Sequence, residues 1–322
     1  MSEAGDYDPG PWRGYDFKSA RKRYDRHVGR SYDDARRSRK PKKDIWVPSL
    51  TTNSESPLVI ACDVTGSMGD WPATIFSKLP YLDLEGKEYL GKDMEISFAA
   101  VGDAYSDDYP LQVRQFTSGK GLEKKLKELI IEGNGGGQTN ESYDLCALYY
   151  SRNVEMPNAI HPIFIFIGDE GLYDFIDNDQ AKEYAGVSLG QRISSKQIIK
   201  DLQSKFSVYL VRKPYDVNRG DGMSDVDKKI YKQWESYLGA DHISDLPEAG
   251  RVVDVIFGIL AKETSRVDYF EDELRGRQTE EQARTVMKAL DTITSPKKSR
   301  KPHKGYSIMK RKAKGAKSKS LV

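Results

Sequence analysis

The stretch LVIACDVTGSM at positions 58–68 constrains this chain more than any other. Its first five residues are apolar without interruption, with β-branched residues in the middle, which marks a short strand buried on both faces. Asp63, Thr65 and Ser67 follow at alternate positions, and Gly66 permits a sharp turn among them. In an open parallel sheet, ligands bind beyond the carboxyl ends of the strands. A carboxylate and two hydroxyls converging there form an all-oxygen site. Hard cations such as Mg2+ take oxygen ligands and keep part of their water shell.

The rest of the middle of the chain alternates between strand and helix patterns. Residues 94–101 and 163–167 read as buried strands, 207–211 and 242–246 as further strands, and 111–116 as an edge strand with alternating polarity. Helices are expected over 71–81, 122–131, 141–152, 194–205, 225–237 and 247–262, with a further helix or helix pair in 266–293. Such alternation predicts an α/β fold: a doubly wound, mostly parallel sheet with helices on both faces. Residues 213–240 read as an insertion.

Two more loops complete the pattern begun by Asp63-Val64-Thr65-Gly66-Ser67. GNGGGQTN ends in Thr139-Asn140, and the strand IFIFI runs into Gly168-Asp169-Glu170-Gly171. Together these resemble the metal-ion-dependent adhesion site of von Willebrand factor A domains, over about residues 57–262. The match departs from the family's T-D-G in having Gly168 in place of the threonine and Glu170 inserted. The resemblance implies one antiparallel edge strand early in the sheet. It also implies direct ligation of Mg2+ (or Mn2+) by Thr65 and Ser67, ligation by Thr139 directly or through water, and water-mediated roles for Asp63 and Asp169. An ion with few charged ligands stays electron-poor and attracts an acidic side chain of a partner protein, which is binding rather than catalysis. The plainer alternative is that Asp63 and Ser67 cap the following helix and Asp169 is an ordinary loop carboxylate.

Charge is distributed unevenly. Residues 1–48 carry a net +5 and residues 295–322 a net +11, leaving the middle at −14. The reading is therefore a basic, mostly disordered segment and linker over 1–56, a domain over 57–262, a helical extension over 263–294 and a basic disordered tail over 295–322. The tail's Lys297, Lys298, Arg300, Lys301, Lys310, Arg311 and Lys312 suit phosphate contacts to nucleic acid or another polyanion. No run of 18 apolar residues predicts a membrane span, and the N-terminus lacks a signal-peptide pattern. A cytoplasmic protein is expected, or a nuclear one where the host has a nucleus. Cys62 and Cys146 are expected to be reduced core thiols.

Other motifs carry less. A dehalogenase-type phosphatase needs a second carboxylate where Thr65 stands. The G-x-S-x-G at 186–190 follows a helix-like segment, whereas a nucleophile elbow follows a strand. GGGQTN is not a phosphate-binding loop, and the four histidines form no zinc pattern. Arg219-Gly220-Asp221 reads as coincidence. The sequence thus predicts a non-enzymatic adaptor or assembly subunit. The alternative is a nucleic-acid-binding protein in which the A-type fold is only a scaffold.

Overall fold

All six residues of LVIACD at 58–63 are buried, because the strand lies mid-sheet and helices cover both faces. The computed structural model describes residues 46–133, 139–215 and 222–294. Its central sheet contains β1 (Leu58–Asp63), β2 (Ile96–Val101), β3 (Leu111–Val113), β4 (Ile163–Gly168), β5 (Ser207–Arg212) and β6 (Ile243–Asp245). The order across the sheet is β6-β5-β4-β1-β2-β3. All neighbours are parallel except β3, which runs antiparallel to β2 with Ala99 opposite Val113. The expected doubly wound sheet and its antiparallel edge strand are both present. The winding reverses between β1 and β4, so the crevice for a ligand lies at their carboxyl ends.

The helices are α1 (Trp71–Lys78), α2 (Leu82–Leu90), α3 (Gly121–Lys127), α4 (Tyr143–Arg152), α5 (Asn178–Ala185), α6 (Ser195–Lys205), α7 (Asp225–Leu238), α8 (Val252–Glu263), α9 (Val267–Arg277) and α10 (Glu280–Ala289). Strand residues alternate between the two layers. Val59, Ala61, Phe164 and Phe166 pack with α4 to α7, and Leu58, Ile60, Ile163 and Ile165 with α1 to α3 and α8 to α10. Double burial explains why these strands are apolar throughout rather than alternating.

Four expectations change. Within the insertion expected over 213–240, residues 222–240 pack into the domain's core. Their helix α7 makes the β5-to-β6 crossover, its Trp234 is fully buried, and the indole N–H donates to Glu170 O at 2.8 Å. The helical extension joins the main core, with Phe270, Leu274, Val286 and Leu290 in the same cluster as Leu58 and Ile60. Leu50–Thr51 is not linker but a short strand parallel to Val154–Glu155, with Leu50 buried. Helix α2 was not expected. Gly86 within it allows Met94 to approach so closely that an added Cβ would meet Met94 Cε at 2.8 Å. Cys62 and Cys146 are free and buried. No helix among the described residues is long and apolar enough to cross a membrane.

Candidate metal centre

Asp63 ends β1 and organises the turn beyond it. Its Oδ1 accepts from the Thr65 N–H at 2.8 Å and the Thr65 hydroxyl at 2.6 Å. Gly66–Met68 then forms one 3-10 turn, held down by the buried Met68. Neither this turn nor α1 has a side-chain N-cap, so the capping alternative does not describe Asp63 and Ser67. The Ser67 hydroxyl instead crosses to the third loop and donates to Asp169 Oδ1 at 2.9 Å. Thr65 Oγ1 and Ser67 Oγ lie 3.2 Å apart.

Asp169 follows β4 directly. Its other oxygen, Oδ2, accepts from the Lys213 ammonium at 2.7 Å. The second oxygen of Asp63 accepts from the Tyr143 phenol. Tyr143 sits at the start of α4, edge-on to Phe166 and Trp234 with ring centroids 5.8 and 5.3 Å away. This packing aims its hydroxyl at β1. Burial pushes the phenol up, as does the Asp63 charge, which keeps it a donor.

Thr139 is positioned by its backbone, next to the third loop. Asn140–Glu141 pairs in parallel with Gly171–Leu172, and Thr139 O accepts from the Gly171 N–H at 3.0 Å. The pairing ties the second loop to the third. The rest of that glycine-rich loop, 134–138, lies outside the described residues, as does the whole of 295–322 with Lys297, Lys298, Arg300, Lys301, Lys310, Arg311 and Lys312.

The site is strongly acidic for its burial. Desolvation, and then the Asp169 charge, pushes the Asp63 carboxyl up to about 8. Burial pushes Asp169 up as well, against the pull of the Lys213 ammonium and the Ser67 hydroxyl. Glu141 and Glu170 are two further buried carboxyls beside them. Burial, then the Asp63 charge, drives Glu141 up, and burial pushes Glu170 up to about 7. A dication would reverse this balance by favouring the ionised forms.

The donor set suits a hard cation. Each hydroxyl can donate its proton to a carboxylate, Thr65 to Asp63 and Ser67 to Asp169, leaving oxygen lone pairs to face an ion. Neighbouring vertices of a Mg2+ octahedron are about 3 Å apart, given bonds of about 2.0–2.1 Å, close to the Thr65–Ser67 spacing of 3.2 Å. Among the described residues no cluster of three or more His, Cys, Asp and Glu side chains could hold a metal. The set here is of another kind, built on hydroxyls. As a phosphatase centre the site lacks an acid at position 65, and both Asp63 oxygens are occupied by donors.

Tyr143, Glu141 and Lys213 were not singled out in the sequence. Tyr143 and Glu141 stood in a segment expected to be uniformly helical, and no short-range spacing links Lys213 to Asp169. The G-x-S-x-G segment follows α5, a helix, and so is no nucleophile elbow.

No family model matches this chain, and no curated protein does. Among solved structures it is similar to the pilus adhesin SpaC from Lactobacillus rhamnosus GG in its open conformation. That match has a TM-score of 0.45 and 11% identity over 74% of this chain and 31% of that one. It is also similar to proximal thread matrix protein 1 from the mussel byssus, with a TM-score of 0.44 and 8% identity over 66% of this chain and 49% of that one. The chain spans less than half the length of either. At these scores neither likeness bears on function.

Proposed function

We propose that this chain is a von Willebrand A-type interaction module, a subunit or adaptor of a larger assembly, and not an enzyme. It holds Mg2+ or Mn2+ through Thr65, Ser67 and Thr139, with Asp63 and Asp169 behind them. The observation that carries this reading is the pair of hydroxyls 3.2 Å apart at the switch point of the sheet, each in reach of a carboxylate on which to place its proton. When bound, such an ion supplies an open coordination position for a carboxylate of a partner protein. The protein supplies the hydroxyl oxygens, the buried carboxylates that orient them and the Tyr143 phenol that orients Asp63. The basic 295–322 tail supports a second contact, with nucleic acid or another polyanion.

The test is a Mn2+ titration of the full chain followed by electron paramagnetic resonance, with Asp63→Ala as the comparison. The expected result is saturable binding that weakens roughly 10–100-fold or disappears in the variant, with an unchanged far-ultraviolet circular dichroism spectrum. An identical titration in both proteins would overturn the assignment. Partner capture in Mg2+ and in EDTA, each with and without nuclease, separates the two surfaces. A protein partner lost in EDTA belongs to the ion site. Retention that ignores EDTA and falls with nuclease belongs to the tail and favours the scaffold reading.

A further inference from the structure

Lys213 immediately follows β5, and nothing in the adhesion-site pattern assigns it a role. Its backbone N–H donates to Gly168 O at 2.9 Å, which fixes the root of the side chain beside the end of β4. The ammonium then donates to acceptors on two different loops, Asp169 Oδ2 at 2.7 Å and Ser67 O at 2.7 Å. The Asp169 side chain is fully buried and that of Lys213 is 12% exposed, so water screens the pair weakly. The Trp71 ring, 5.8 Å from Nζ, gives the stem and charge an aromatic wall. The preceding Arg212 is engaged elsewhere, with Asp227 and Asp245.

An ammonium has three donors and no acceptor, so it seeks the oxygens that a metal cation would also seek. Here it joins the first loop to the third, the two loops that supply Ser67 and Asp169. It also places a positive charge among buried carboxylates whose ionisation burial opposes. A fixed unit charge at that spot repels an incoming dication and draws off part of the Asp169 charge.

The geometry points to Lys213 as a tethered counter-ion that competes with a divalent ion for the Asp169 side of the site and holds the two loops together in its absence. This inference rests on the metal reading above. Lys213 ties the first loop to the third in the ion-free protein and sets divalent affinity below what the oxygen donors alone would give. Lysine suits the role because its four-carbon stem can swing away without moving the backbone.

The test uses the full chain with Lys213→Met, which keeps the stem and removes the charge, Lys213→Gln, which keeps a donor, and Lys213→Arg, which keeps the charge. Two quantities are read: Mn2+ affinity by electron paramagnetic resonance, and the thermal midpoint with and without Mn2+. The neutral variants should bind Mn2+ about tenfold more tightly than the wild type. They should melt earlier without the ion and gain more from it, while Lys213→Arg stays near the wild type. Neutral variants that bind no more tightly than a titrating wild type would overturn the competition and leave the metal site standing. Mn2+ uptake by the neutral variants alone would support it. No uptake by any of the four proteins would overturn both the competition and the metal reading. If Lys213→Met does not fold, Lys213→Gln decides.

Discussion

Gly168 stands where the family resemblance places a threonine, and Tyr143 accounts for the change. A Cβ on Gly168 would lie 1.8 Å from the Tyr143 hydroxyl oxygen and 3.0 Å from Asp63 Cβ. The phenol therefore fills the space a side chain would take and uses it to hold Asp63. Gly168→Ala should lower stability by about 1–3 kcal/mol as an overpacking change, and Tyr143→Phe added to it should recover part of the loss in urea unfolding. A Gly168→Ala protein as stable as the wild type would show that Tyr143 yields without cost. Asp107 and Asp144 are both buried, and burial is the main reason each is pushed up to about 7. Each also has one Oδ1 without a hydrogen-bond partner. The unfolded chain releases these protons near pH 4, so between about pH 4 and 7 the native state holds protons that the unfolded state does not. Their contribution to stability is full below that window and is lost as pH rises through about 7. Asp107→Asn and Asp144→Asn should each flatten the fall in urea midpoint between pH 5 and 8. An unaltered pH profile in either would remove that residue from the account.

At the scale of elements, α7 shows how a charged sequence becomes core. Ser224 caps it by accepting from the Asp227 N–H at 3.1 Å. Asp227 pairs with Arg212 at the end of β5, each side chain 1% exposed, and also accepts from the Tyr215 N–H at 3.1 Å. Removing Asp227 leaves the buried Arg212 guanidinium with the half-exposed Asp245 alone, so Asp227→Ala should cost about 3 kcal/mol, more than Asp225→Ala at the exposed start of the helix. Equal midpoints for the two variants would mean that Asp245 alone is enough to satisfy Arg212. This helix also marks where sequence reading stops. Strands β1, β2, β4 and β5 were legible because burial on both faces leaves apolar runs of fixed length, and Asp63, Thr65, Ser67 and Asp169 were legible because they lie at or just past the ends of two of those strands. Helix α7 itself was legible, but its place in the fold was not. That place depends on Trp234 and on one long-range ion pair, and neither leaves a periodic trace. The same holds within the site. Lys213 and Asp169 are separated by 44 positions, and parallel pairing of β4 and β5 is what brings them together.

On the scale of the whole molecule, the last two helices decide where the chain can be cut. Lys262 Nζ donates to the carbonyls of Leu290 and Ile293 at 2.6 Å each, and the Thr292 hydroxyl donates to Ile243 O on β6 at 2.5 Å. Leu290 seats on Gly258, where an added Cβ would meet its Cδ1 at 2.0 Å. A protein ending at residue 294 keeps all of these contacts, whereas one ending at residue 264 exposes the apolar face of α8. The 264 protein should therefore aggregate, and the 294 protein should melt like the full chain. The 294 protein also separates the two charges of the molecule, since it loses the +11 tail and retains the acidic middle. Affinity that comes from phosphate neutralisation falls with salt, by a slope of about 0.7 per phosphate for single strands. On a single-stranded RNA probe, the full chain should bind with a steep salt slope, and the 294 protein should lose most of both affinity and slope while its Mn2+ titration stays unchanged. Asp63→Ala should do the reverse. Two losses that separate in this way would assign ion and polyanion to different parts of one chain. An unchanged RNA salt slope in the 294 protein would move any polyanion contact off the tail and onto the remainder of the chain, where the residues before 46 are the next basic segment to test.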